Sequence, residues 1–309
     1  MIIRKSTSLF TILYLNWRNL LAVAGIVVLV ETINDYVVLD RPAFSLAAVA
    51  LLVTALSIFL VFRVNEAYSR WWEARTLWGE IVNTSRSFAR QVNTLLVADS
   101  DDEPARRSVE SLRRELIYRQ IAWVNALRTS LRGEDDWEEL NRFLPADELE
   151  SMRDTANNSN QLLQRQFERL QEARAAGQLS DIGLLMFDRS LASLHDGQGG
   201  CERIKNTPFP DRVRLFSVTV AWAMAVFIPL CIIDVDNKFD AIDMLIVPFM
   251  MLAFVVAERL GAELMNPFEG EPNDTPMSTL CRSIEIDLRQ QLGETDVPPP
   301  LEPVRGVLM

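Results

Sequence analysis

The sequence predicts an all-α membrane protein in which four transmembrane helices form two hairpins on either side of a helical cytoplasmic domain. Three observations carry this reading. Pro42 to Phe62 and Leu215 to Ile233 are uncharged runs of 21 and 19 residues, long enough to cross a hydrocarbon core of about 30 Å at about 1.5 Å per residue. A weaker apolar stretch accompanies each run. The charged residues gather between these stretches and near the C-terminus. The bulk composition, 49% hydrophobic and 24% charged, averages over that separation and conceals it.

The first weaker span is Leu20 to Val30, extending toward Leu39 past Glu31 and Asp35. The second is Met244 to Ala257, beginning near Ala241, with Asp243 at its start and Pro248 inside. A charged side chain within a span costs a few kcal/mol unless it faces protein or water, so these carboxylates belong near the outer surface or a wet pore. A signal peptide is the rival reading of Leu20 to Val30, but no small-residue cleavage site follows it. A buried soluble helix is the rival for Met244 to Ala257.

Orientation follows from the arginines and lysines. Arg4, Lys5 and Arg18 precede the first span, and Arg63, Arg70 and Arg75 follow the second. Arg212 and Arg214 precede the third, and Arg259 follows the fourth. This bias predicts a multi-pass membrane protein with both termini and the long middle segment in the cytoplasm. Its outer loops are short and mostly acidic, carrying Asp35 and Asp40 in one and Asp234, Asp236 and Asp240 in the other.

The expected organisation is a first hairpin over 1–62, a helical cytoplasmic domain over 63–213, a second hairpin over 214–262, a cytoplasmic segment over 263–293 and a disordered tail over 294–309. The second span is predicted to continue through Arg63 to Val97, where Gly79 is the one glycine and proline is absent. Ser108 to Leu131 is amphipathic, with Leu112, Leu116, Ile117, Trp123, Val124 and Leu127 as its buried stripe. Ala146 to Ala176 reads as one long polar helix, and Ser180 to Leu194 as a shorter one ended by Gly197, Gly199 and Gly200.

The net charge of −11 opposes nucleic-acid binding, which needs a basic face to displace counterions. Cys201, Cys231 and Cys281 lack metal-ligand spacing, and His195 is the lone histidine. No metal, no cofactor and no catalytic centre is expected, because phosphate-binding glycine loops, HExxH helices and nucleophile elbows are all missing.

Three segments flank the spans: FRVNEAYSRWWEARTLWGEIVN at 62–83, GGCERIKNTPFP at 199–210 and ERLGAELMNPFEGEPNDTP at 258–276. In this order they resemble the bestrophin family, specifically its prokaryotic branch, over roughly residues 1 to 290. Read physically, the tryptophans at 71, 72 and 78 suit a membrane-boundary belt, and the two prolines of NTPFP fix a bend. Thr54, Ile58 and Phe62 lie four apart and so share one helix face.

The resemblance implies a homopentameric passive ion channel with its pore on the fivefold axis. It places Ile58 and Phe62 in a narrow hydrophobic neck, with Thr54 as a wider or wetter outer tier, and Ile204 at a second constriction near the cytoplasmic exit. The partners implied are further copies of the chain, permeant inorganic ions and the lipid bilayer. The acidic outer vestibule of Asp234, Asp236 and Asp240 favours monovalent cations. An anion channel of the same fold and a non-conducting membrane scaffold or sensor are the alternatives. Eukaryotic members of the family bind calcium in an acidic cluster after their NPF triplet. Here Glu269, Glu271 and Asp274 are interrupted by Gly270, Pro272 and Asn273, a departure that puts such a site in doubt.

Overall fold

The computed structural model describes residues 16–36, 46–98, 102–135, 137–207, 211–232, 243–304 and 306–308. Among these residues the chain is helical. They hold α1 (Trp17–Tyr36), α2 (Leu46–Leu95), α3 (Glu103–Arg132), α4 (Trp137–Leu140) and α5 (Ala146–Met152). They continue with α6 (Asn158–Ala175), α7 (Asp181–Asn206), α8 (Asp211–Ile232), α9 (Asp243–Leu264) and α10 (Met277–Gln291). The β-pairing among them is an isolated bridge between Val304 and Val307.

The chain divides into two compact units. One is drawn from Arg4–Arg70 and Pro208–Met265 and contains α1, the first half of α2, α8 and α9. Its core joins Val23 and Val27 of α1, Leu56 of α2, Met224 and Ile228 of α8, and Met251 of α9. Each of the four predicted spans falls on one of these helices. Within the described residues, α2 has the length and hydropathy to cross a bilayer, and Trp17–Val30 is a shorter apolar helix.

The other unit comprises Trp71–Thr207 and Asn266–Met309. Its core is built on α3, where the predicted stripe of Leu112, Leu116, Ile117, Trp123, Val124 and Leu127 is buried. Pro104 lies in the first turn of this helix, where its missing N–H costs nothing, and Gly133 ends it in the left-handed conformation at φ 67°. The helices α6 and α10 pack against α3, and α7 packs on α6.

Two sequence expectations need correction. Ala146 to Ala176 is not one helix: α5 ends at Met152, and Asn157 starts α6 by accepting the amide N–H of Asn160 on its side-chain oxygen. An Asx residue offers the backbone this alternative bond, so the polar run restarts instead of continuing. Conversely, α7 does not stop at its glycines but runs through Gly197, Gly199 and Gly200 to Asn206. Tertiary packing overrides their low helix propensity. A Cβ on Gly200 would lie 2.8 and 2.9 Å from the two methyls of Leu77, and one on Gly197 would lie 2.9 Å from Cγ1 of Ile81. The glycines let α7 lie directly on α2.

Gly200→Val is therefore expected to destabilise the protein by about 1–3 kcal/mol through overpacking. Gly199 faces open space, so Gly199→Ala should stabilise by about 0.5–1 kcal/mol. Thermal midpoints in detergent moving in opposite directions would bear this out, and a midpoint unchanged by Gly200→Val would refute the close-packing account.

Among the described residues the proline-rich tail forms no helix, yet its backbone is held. Arg289 donates to the carbonyl of Asp296 at 2.6 Å, and Arg282 to that of Pro299 at 3.3 Å.

Candidate pore face and its anchoring loops

The rotation of α2 decides which of its side chains look outward. Leu56, Leu60, Arg63 and Ala67 recur at three- and four-residue intervals and are buried, the pattern of one helix face. Thr54, Ile58 and Phe62 occupy a different face and are exposed, Ile58 by 54% and Phe62 by 65%. Thr54 donates its hydroxyl to the carbonyl of Ala50 at 2.7 Å, so its proton is committed within the helix and its lone pairs stay available. One turn beyond Phe62, Asn65 and Glu66 are also exposed.

The opposite face is tied to α9. Arg63 donates to Glu258 at 2.9 Å, and its side chain is 2% exposed. Arg70 donates from Nε to the carbonyl of Met265 at 2.8 Å, just past the end of α9. In the sequence Arg63 and Arg70 mark orientation, and the Arg and Glu residues of their segment are equally candidates for ion pairs between subunits. The buried spacing of 56, 60, 63 and 67 was the signal that Arg63 points inward. Its partner, 195 positions away, left no local trace.

The signature tryptophans separate into three roles. Trp78 is fully buried in the core, and Trp71 donates from its indole to the carbonyl of Asn273 at 2.8 Å. Of the three, Trp72 alone keeps the high exposure that a boundary belt requires, at 55%.

The loop after NPF is internally braced. Phe268 and Thr275 are buried, and the Thr275 amide donates to the carbonyl of Pro267 at 3.1 Å. The carboxylate of Asp274 accepts the amides of Gly270 at 2.8 Å and Glu271 at 3.1 Å. Burial pushes its pKa up, an effect that these amide bonds oppose. Glu269 is bound to Lys205 at 2.9 Å. Among the described residues no group of three potential metal ligands converges, and Glu269 and Asp274 have separate partners.

At the end of α7, Ile204 lies 3% exposed among the core side chains of its unit. Its neighbours are anchored: Arg203 pairs with Glu73, and Lys205 with Glu269. Asn206 and Thr207 are exposed just beyond. Cys201, one turn earlier, is buried, and burial pushes its thiol up to about 12. Asp234, Asp236 and Asp240 lie outside the described residues.

Known proteins share this architecture. The family described as Bacterial/Fungal Bestrophin protein matches residues 9–290. The Escherichia coli K12 protein named voltage-dependent anion channel-forming protein YneE is 34% identical over 263 residues, 85% of this chain and 82% of that protein. A Mesorhizobium japonicum protein, named voltage-dependent anion channel-forming protein mll4386, is 32% identical over 265 residues, covering 86% and 80%. The crystal structure of a bacterial bestrophin homologue from Klebsiella pneumoniae superposes with a TM-score of 0.81 at 26% identity, over 91% of this chain and 98% of that one. The three segments that suggested this kinship are those that brace α2 and the NPF loop. The chain belongs to the bestrophin family, in its bacterial and fungal branch, and is a membrane channel protein, not an enzyme.

Proposed function

We propose that the chain forms a homopentameric pore in a bacterial inner membrane, with Ile58 and Phe62 of each subunit closing a hydrophobic neck. The exposure of these two large apolar residues, on the face of α2 opposite its buried stripe, carries this reading. A ring of such side chains closes a pore by expelling water and needs no charged gate. Thr54 forms the tier above, where its oxygen lone pairs soften the apolar wall. Ile204 narrows the cytoplasmic exit with the small area it leaves uncovered, and it also packs the core. The positive-inside bias sets both termini in the cytoplasm.

Anions are the proposed permeant species. Relatives more than 30% identical over most of their length bear the name of anion channels. The expectation of cation conduction rested on Asp234, Asp236 and Asp240, whose positions lie outside the described residues. One observation favours cations as a second reading: Glu66 is exposed four residues beyond Phe62. In a pentamer it would place a ring of carboxylates below the neck, raising the local cation concentration.

The reversal potential of purified protein in a planar bilayer under a KCl gradient separates the two. A shift to the chloride equilibrium potential supports anion conduction. A shift to that of potassium, abolished by Glu66→Gln, establishes the second reading. Silence that persists after the neck is widened favours a membrane scaffold.

A further inference from the structure

We propose that Arg63 and Glu258 are a positioning pair that sets the rotation of the neck helix, so that α9 controls how far Phe62 protrudes into the pore. This inference rests on the neck reading above. Its geometry is independent of that reading.

The two helices touch in register. Arg63 meets Glu258 and Arg70 meets the carbonyl of Met265, each pair 195 positions apart. Because both numbers rise together, α2 and α9 run parallel here, fastened at two points two turns apart. Between the fastenings sits Gly261, where a Cβ would meet Val64 at 3.6 and 3.9 Å. That is ordinary van der Waals contact, so the two helices touch here at a site that would accept a Cβ.

The upper fastening adjoins the neck. Arg63 follows Phe62 directly, and successive side chains on a helix are turned by about 100°. Any rotation that moves the guanidinium therefore moves the phenyl ring by the same angle. The Arg63 side chain is 2% exposed, and its Nε has no acceptor among the described residues. Glu258 is the acceptor it does have in the described structure.

A charge so buried is costly without its counterion. Deprived of Glu258's charge, the guanidinium is better solvated by moving toward water than by staying inward. Since Arg63 sits on the buried face of α2, that movement turns or tilts the helix and withdraws Phe62 from the neck. The lower fastening runs from Arg70 to the carbonyl of Met265. It holds α2 in place but does not fix which way its upper turn faces. Arg63 and Glu258 thus act on permeation through Phe62, touching no ion themselves.

The test is ion flux from liposomes containing the full-length chain, comparing Glu258→Gln, Phe62→Ala and the two together, with thermal midpoints measured alongside. Glu258→Gln keeps an acceptor for the guanidinium and removes the charge. It is expected to raise flux about tenfold, as a shift of the closed population would, and to add nothing once Phe62 is alanine. A merely structural role would not show that dependence on Phe62.

Flux that stays constant or falls in Glu258→Gln, while Phe62→Ala raises it, overturns the pair and leaves the neck standing. Equal increments with and without Phe62 also overturn it. If Phe62→Ala has no effect, the neck reading falls and takes this proposal with it. Should Glu258→Gln not fold, the double replacement Arg63→Met with Glu258→Leu removes both charges at similar volume. Unchanged flux in that variant would likewise refute the pair.

Discussion

Phe62→Ala is expected to increase ion flux through the reconstituted channel by about tenfold or more, because a shortened ring lets water enter the neck. Phe62 is 65% exposed, among the most exposed large hydrophobic side chains of the chain. Its removal therefore leaves little cavity in the folded protein, and the thermal midpoint should move little. Flux and stability thus separate. Ile58→Ala should act in the same direction, and both together should exceed either. Leu60→Ala is the matched control, since Leu60 lies on the buried face of the same helix. It should lower stability by about 2–5 kcal/mol. Flux indifferent to both Ile58 and Phe62 would dismiss the neck.

Glu285→Ala is expected to destabilise the cytoplasmic unit by about 3 kcal/mol, the loss associated with breaking a buried charge cluster. Its carboxylate is 3% exposed and meets three guanidiniums: Arg282 at 3.1 Å, Arg142 at 3.2 Å and Arg289 at 3.4 Å. It sits on α10, which packs against α3 and donates the Cys281 thiol to the carbonyl of Val124 at 3.4 Å. Removing the anion leaves three cations gathered without their common counterion. Glu285→Gln keeps one acceptor oxygen for them and should lose roughly half as much. A thermal midpoint unmoved by Glu285→Ala would show that the partly exposed arginines are solvated independently. Because this cluster and the neck belong to different compact units, flux per folded protein should be unchanged.

Legibility in the sequence followed the range of the interactions involved. The buried stripe of α3 was readable because helical periodicity repeats every three to four residues and needs no distant partner. The continuation of the second span into one long helix was readable too, since proline is absent and glycine occurs once across the junction. The end of α7 was misread because its glycines look like a stop, whereas Leu77 and Ile81 of another helix make them a contact surface. The break between α5 and α6 was missed because Asn157, one polar residue in a polar run, becomes a cap only when its side chain turns back.

The site divides the same way. Four-residue spacing was enough to group Thr54, Ile58 and Phe62, and the three signature segments were enough to identify the family. By itself the sequence determined the helical class, the apolar spans and the membership among bestrophins, all of which depend on local hydropathy and local motifs. Only the tertiary structure decided which face of α2 is buried, that Arg63 answers Glu258, that Trp71 serves the NPF loop and that Ile204 lies in the core. These depend on side chains that meet from distant positions, and the free energy that brings them together leaves no periodic trace along the chain.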